Sequence, residues 1–291
     1  MAVPVPTRPS PSRPLGKGAP TQPPPPDDDV LFVTAKPKPI TPRVVFYAVE
    51  KFGKTTALAY APSPIIIQVR DTGYQTLVDA GLVPASPTIV ATSWTHLLAS
   101  IDAAIAMPGV KTLGIDGITG AERLCQEHVC TTEFGGDWGD GGFTSFNKGY
   151  DRCASVWLAL LARLDRAIEA GITVVLLAHA RTKTQKNPVG ADYDRFEPDL
   201  HAKTWSPTAR WADAILFGKF HTIVDVTRRE AAKKVAEQKG KAIGGVDRVV
   251  FTTGCDAFVA GNRYGAESEL WVKGGAESMW NETIGLIGRK E

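Results

Sequence analysis

Gly53, Lys54 and Thr55, in the run VVFYAVEKFGKTTALAYA (44–61), have the types and spacing to grip a chain of phosphates. A phosphate-binding loop reads glycine, four residues, then Gly-Lys-Ser/Thr. Its backbone N–H groups face the anion, its lysine reaches the β- and γ-phosphates, and its hydroxyl binds Mg²⁺. The candidate loop here runs through Ala48, Val49, Glu50, Lys51, Phe52, Gly53, Lys54, Thr55 and Thr56, with alanine in the first glycine's place. That glycine serves backbone conformation, so alanine suffices if φ at residue 48 is negative. A bare GKT is weak evidence, and its meaning depends on what surrounds it.

Three further segments carry chemistry. In KTLGIDGITGAERL an apolar run ends in Asp116, a candidate to hold Mg²⁺ together with Thr55. In IIIQVRDTGY, Asp71 could orient the attacking water beside the γ-phosphate. In TVVLLAHARTK, His179 could sense that phosphate and pass its loss to the following loop. Each has an ordinary alternative: a turn or helix-cap residue for Asp116, a turn residue for Asp71, a satisfied core histidine for His179.

These residues need strands that end together and helices that begin beside them. The runs 43–48, 64–69, 112–116 and 172–180 are β-branched or apolar and read as buried strands. Helical patterns lie between them at 54–61, 93–106, 118–130 and 150–171, the last amphipathic and stopping at Gly171. Such alternation predicts an α/β fold with a mostly parallel sheet flanked by helices. A later block, 213–226, a charged helix at 228–239 and RVVFTT (248–253), reads as further strands with a hairpin-like insertion. Two long polar segments, 133–149 and 181–199, read as functional or mobile loops.

Composition sets the limits. The chain has 291 residues, 43% hydrophobic and 22% charged, with net charge +2, so any polyanion-binding surface must be a local patch. Residues 1–40 are proline-rich and poor in apolar residues, which predicts a disordered tail ahead of one domain at 41–291. Cys125, Cys130, Cys153 and Cys255 show no paired spacing and read as reduced, buried thiols of a cytoplasmic protein. No apolar run approaches the ~20 residues of a membrane-spanning helix, so no membrane partner is expected.

Taken in order, these segments resemble the RecA-like P-loop ATPases, most of all the phage-encoded AAA-type nucleotide-binding proteins associated with single-strand-annealing recombination. The carriers are the GKTT loop, the strand ending in ID with a T-x-x-E-R-L helix after it, and the glycine-aromatic loop before a long helix. Further on come VVLLAHA, DYDRFEPDLH, WADAILF and NRYG. The resemblance spans about residues 43 to 270. It implies a RecA-like core, ATP with Mg²⁺, single-stranded DNA as partner, assembly into a ring or filament, and the host cytoplasm as location. NRYG is similar to a motif of RadA-like relatives whose arginine reaches a neighbour's nucleotide, which makes Arg263 a candidate acting in trans, or an ordinary ion pair. That motif's lysine is Gly261 here, and the glutamate such proteins carry after the second strand is replaced by Arg70 and Asp71.

The polar loops then become candidates for DNA contact. Phe143, Phe146 and Lys148 suit stacking on unpaired bases, and Lys183 and Lys186 suit phosphates, although nearby aspartates oppose that charge. The expected function is an ATP-dependent, single-stranded-DNA-binding recombination or annealing ATPase. The alternatives are a helicase-loader or motor-type ATPase with a protein partner, and a small-molecule kinase.

Overall fold

The first strand, β1 (Arg43–Ala48), is buried on both faces. Val44, Phe46 and Ala48 point into one apolar layer and Val45 and Tyr47 into the other, as the two-residue period of a strand requires. A strand covered on both sides reads as a continuous apolar run, which is why VVFYA shows no polar alternation. The protein is described by a computed structural model covering residues 39–70, 72–225 and 241–288. The proline-rich segment 1–38, Asp71 and the helix expected at 228–239 lie outside the described residues.

Around β1 lie β2 (Pro64–Val69), β3 (Thr88–Ala91), β4 (Thr112–Asp116), β5 (Thr173–Gln185), β6 (Tyr193–Pro198), β7 (Ala214–Asp225), β8 (Lys241–Phe251), β9 (Gly261–Asn262) and β10 (Glu269–Val272). The described residues form a sheet in the order β10-β8-β7-β1-β5-β4-β2-β3, with β6 on β5 and β9 on β7. From β7 to β3 the strands are parallel; β8 and β10 add an antiparallel edge. The expected α/β architecture is therefore present. Parallel strands end on the same side, and β5 lies between β1 and β4. Its register sets His179 beside Ala48 and Leu177 beside Asp116.

Helices cover both faces. On one lie α3 (Trp94–Ala106), α4 (Ile118–Glu133) and α5 (Lys148–Glu169), which bury Leu97, Leu124, Trp157, Leu160 and Leu164 against the sheet. The other face carries α1 (Lys54–Ala59) and a short helix, Met279–Glu282. α1 stops two residues short of expectation because Pro62 and Pro64 follow at once. Its closeness to β4 depends on Gly114, where an added Cβ would meet Leu58 Cδ2 at 2.2 Å. That contact brings the first turn of α1 up to the end of β4.

Several elements depart from expectation. Segment 181–199 is not a loop: β5 runs on to Gln185 and β6 returns antiparallel, pairing Ala180 with Pro198 through Gln185 with Tyr193. Cross-strand polar pairs hold it, including Thr184 Oγ1 on Asp194 at 2.7 Å. The helix α6 (Ala202–Trp211), which contains Pro207, and α2 (Gly73–Asp79) were not foreseen. Cys125, Cys130 and Cys153 are buried, whereas Cys255 is exposed. Among the described residues no helix is long and apolar enough to cross a membrane.

Candidate functional site

The loop leaving β1 turns sharply before α1. Lys51 has φ 55° and Gly53 has φ 106°, both in the left-handed region, which reorients the backbone between strand and helix. Ala48 is the last residue of β1, fully buried, in extended conformation. The condition for replacing the first glycine is thus met. Opposite it on β7 stands Gly218, where an added Cβ would lie 2.8 Å from Phe52 Cε1 and 3.0 Å from Ala48 Cβ. The methyl lost from β7 makes room for the one gained on β1 and for the Phe52 ring.

Lys54 is buried to 8% exposure, and its ammonium donates to the carbonyls of Ala48 at 3.2 Å and Val49 at 3.3 Å. It therefore lies along the inside of the loop rather than in solvent. Thr55 Oγ1 donates to Asp116 Oδ2 at 2.6 Å, joining the loop to the end of β4. Lys51, Phe52, Gly53, Lys54, Thr55, Thr56, Asp116 and His179 line one cleft of about 380 Å³, with Gly73 and Leu77 of α2. His179 is exposed there, so it is not a core histidine. A hydroxyl and a carboxylate in contact form an oxygen donor pair of the kind Mg²⁺ takes with substrate phosphates and water. Among the described residues no group of three or more His, Cys, Asp or Glu could hold a metal by itself.

Beyond the cleft a chain of hydrogen bonds leads outward. Thr119 Oγ1, in the first turn of α4, donates to the carbonyl of Asp199 at 2.8 Å, and Asp199 N donates to the carbonyl of His179 at 2.8 Å. Arg181 binds Asp199 at 3.3 Å and Glu197 at 3.0 Å, at the base of the β5–β6 hairpin. Glu122, also on α4, accepts from His201 N and Thr204 Oγ1 at the start of α6. Burial pushes its carboxyl above the usual range. Burial, with the charges of Arg181 and Lys203, holds the His201 imidazole below its ordinary value.

The remaining candidates lie apart. Arg263 sits by β9 at the opposite end of the parallel strands, its guanidinium 2.9 Å from Asp213, whose backbone N–H bonds Arg43 at the start of β1. Five residues of strand, about 17 Å, separate that end from Ala48. Phe143 does not face solvent. It is fully buried against Phe134, Trp138 and Tyr150, so the expectation that it stacks on bases is corrected. A glycine-rich stretch needs an apolar anchor, and Phe143 is it. Phe146 is 91% exposed, with Lys148 Nζ 6.0 Å from its ring centre. Lys183 pairs with Glu197 at 3.3 Å and Lys186 with Asp192 at 2.6 Å, which offsets the basic charge expected of the hairpin. Sequence reasoning missed α2 as a wall of the cleft, and Gly218; neither carries a motif.

The family described as an AAA domain matches residues 40–264. No curated protein matches. Among solved structures, one described as "a prototypical ATPase from the type III secretion system of pathogenic bacteria" is similar at 14% identity and a TM-score of 0.40. The match covers 66% of this chain and 54% of that chain, so this chain spans about half of its length.

Proposed function

The chain belongs to the AAA domain family and carries a P-loop ATPase site, and from that premise we propose an ATP-dependent single-stranded-DNA-binding protein acting in recombination or annealing. ATP binds with its phosphates over Gly53, Lys54 and Thr55. Thr55 and Asp116 hold Mg²⁺, which neutralises the phosphate charge when bound. His179 lies against the end of the phosphate chain, and Asp71 is the proposed residue that orients water. Arg263 acts on the nucleotide of a neighbouring copy, because its own cleft lies at the other end of the strands.

One observation carries the DNA reading. The bonds from His179 through Asp199 to Thr119 and Arg181 tie the nucleotide cleft to the β5–β6 hairpin. A change at the γ-phosphate can thus be felt where a strand would lie, with Phe146 and Lys148 supplying a stacking surface. The ion pairs of Lys183 and Lys186 favour a second reading, a motor-type ATPase whose partner is a protein. A kinase lid rich in free arginines fits less well, since Arg181 is engaged by two carboxylates. ATP hydrolysis measured with and without single-stranded DNA separates the readings. Stimulation supports DNA as partner; an unchanged rate moves the protein-partner reading ahead.

A further inference from the structure

A second cleft, of about 280 Å³, adjoins the first, and Gly53 and Thr56 line both. Its other walls are Arg248 of β8, Val272 at the end of β10, and the turn carrying Gly275, Ala276 and Met279. Met279 packs directly on the loop: a Cβ added to Gly53 would come within 2.9 Å of its Cε. Arg248 Nε donates to the carbonyl of Phe52 at 2.8 Å, immediately before the loop glycine. Its guanidinium lies 5.6 Å from the centre of the Phe220 ring. Among the described residues the Arg248 side chain forms no other hydrogen bond or ion pair.

We propose that this second cleft receives the ribose and purine base of the nucleotide, with Arg248 as a binding residue that donates to the sugar. The assignment rests on the phosphate-loop reading and deepens it. A nucleoside triphosphate must extend its sugar and base from one end of its phosphate chain. Asp116 and His179 line the first cleft and not the second, and the terminal phosphate and metal belong beside them. The sugar therefore leaves on the side of Gly53 and Thr56, and the second cleft opens there. Its chemistry suits a base: apolar surface from Val272 and a deformable methionine, small residues that allow close approach, and one cation. Among the described residues no carboxylate side chain lines it. Guanine therefore finds no side-chain acceptor for its N1–H and N2 amino group, and the cleft gives GTP no advantage over ATP.

Calorimetric titration of the full chain with Mg²⁺ and either ATP or inorganic tripolyphosphate tests this. Ala276 is exposed, so Ala276→Phe fills the cleft without entering the core. It should weaken ATP binding at least tenfold and leave tripolyphosphate unchanged, whereas Lys54→Ala should weaken both. Wild-type ATP affinity in Ala276→Phe overturns the assignment and leaves the phosphate loop standing. Equal losses of both ligands in that variant also overturn it, since the substitution then acts through the loop. Retention of both ligands by a folded Lys54→Ala protein overturns the phosphate-loop reading and the assignment with it. In Arg248→Ala, ATP and 2′,3′-dideoxy-ATP should bind alike, while wild type prefers ATP. An undiminished preference in the variant removes the arginine's role.

Discussion

Ala48 and Gly218 face each other across β1 and β7, each shaped to the other's size. A Cβ at residue 218 would lie 3.0 Å from Ala48 Cβ and closer still to the Phe52 ring. Gly218→Ala should therefore destabilise the fold by about 1–3 kcal/mol, the usual cost of overpacking a core. Ala48→Gly in the same chain should recover only part of the loss, because Phe52 still has to move. Thermal denaturation of the single and double variants checks this. A Gly218→Ala protein as stable as wild type would sink the account of the substituted loop.

Thr55 and Asp116 are in hydrogen-bond contact, so either change should act on metal-dependent binding before it acts on the fold. Lys54→Ala should lower ATP affinity by about two orders of magnitude, roughly 2.7 kcal/mol. Thr55→Val and Asp116→Asn should instead remove most of the benefit of added Mg²⁺. Titrations with and without Mg²⁺ distinguish the two patterns. Equal Mg²⁺ dependence in wild type and both variants would show that the oxygen pair holds no metal.

Arg263 and Lys54 lie at opposite ends of the neighbouring strands β7 and β1, which predicts complementation between subunits. Lys54→Ala and Arg263→Ala proteins should each be inactive alone, and mixing them should restore part of the ATP turnover. The assay needs mixtures shown to co-assemble. No recovery in such mixtures argues that the arginine serves only its ion pair with Asp213.

The aromatic loop separates into one structural and one exposed residue. Phe143→Ala should cost about 3–5 kcal/mol of stability, as for other buried phenylalanines. Phe146→Ala should leave stability unchanged and weaken binding of a labelled single-stranded oligonucleotide at every salt concentration. Lys183→Ala and Lys186→Ala should reduce the slope of log affinity against log salt. Wild-type affinity in Phe146→Ala and wild-type slopes in both lysine variants would exclude these surfaces as the DNA site.

His201 and Glu122 meet at the start of α6 and pull stability in opposite directions with pH. The neutral His201 ring accepts Lys203 N–H at Nδ1, 3.2 Å away. Its folded value lies below 6.5, so its contribution is present above that pH and is lost as pH falls through the folded value. Glu122 has a raised folded value, so its contribution is present below 4.5 and is lost as pH rises through the folded value. His201→Asn keeps a capping acceptor and should shrink the drop in urea midpoint expected on acidifying below pH 6.5. An unchanged drop would assign it to other groups.

Local chemistry made much of this protein legible in its sequence. β1, β2 and β4 have the bounds that their apolar runs predict, because a strand buried on both faces has no choice of pattern. Gly53, Lys54, Thr55 and Asp116 could be named because their types and their places at strand ends follow from what phosphates and metal require. Tertiary packing decided the rest. Phe143 and Phe146 are three residues apart in the same glycine-rich stretch, yet one is buried and the other exposed, according to which reaches the core under α4 and α5. Gly218 and Arg248 bear on the loop from strands more than 160 residues away in the chain. Spacing along a sequence cannot report such contacts, because they exist only once the sheet has set β7 and β8 beside β1.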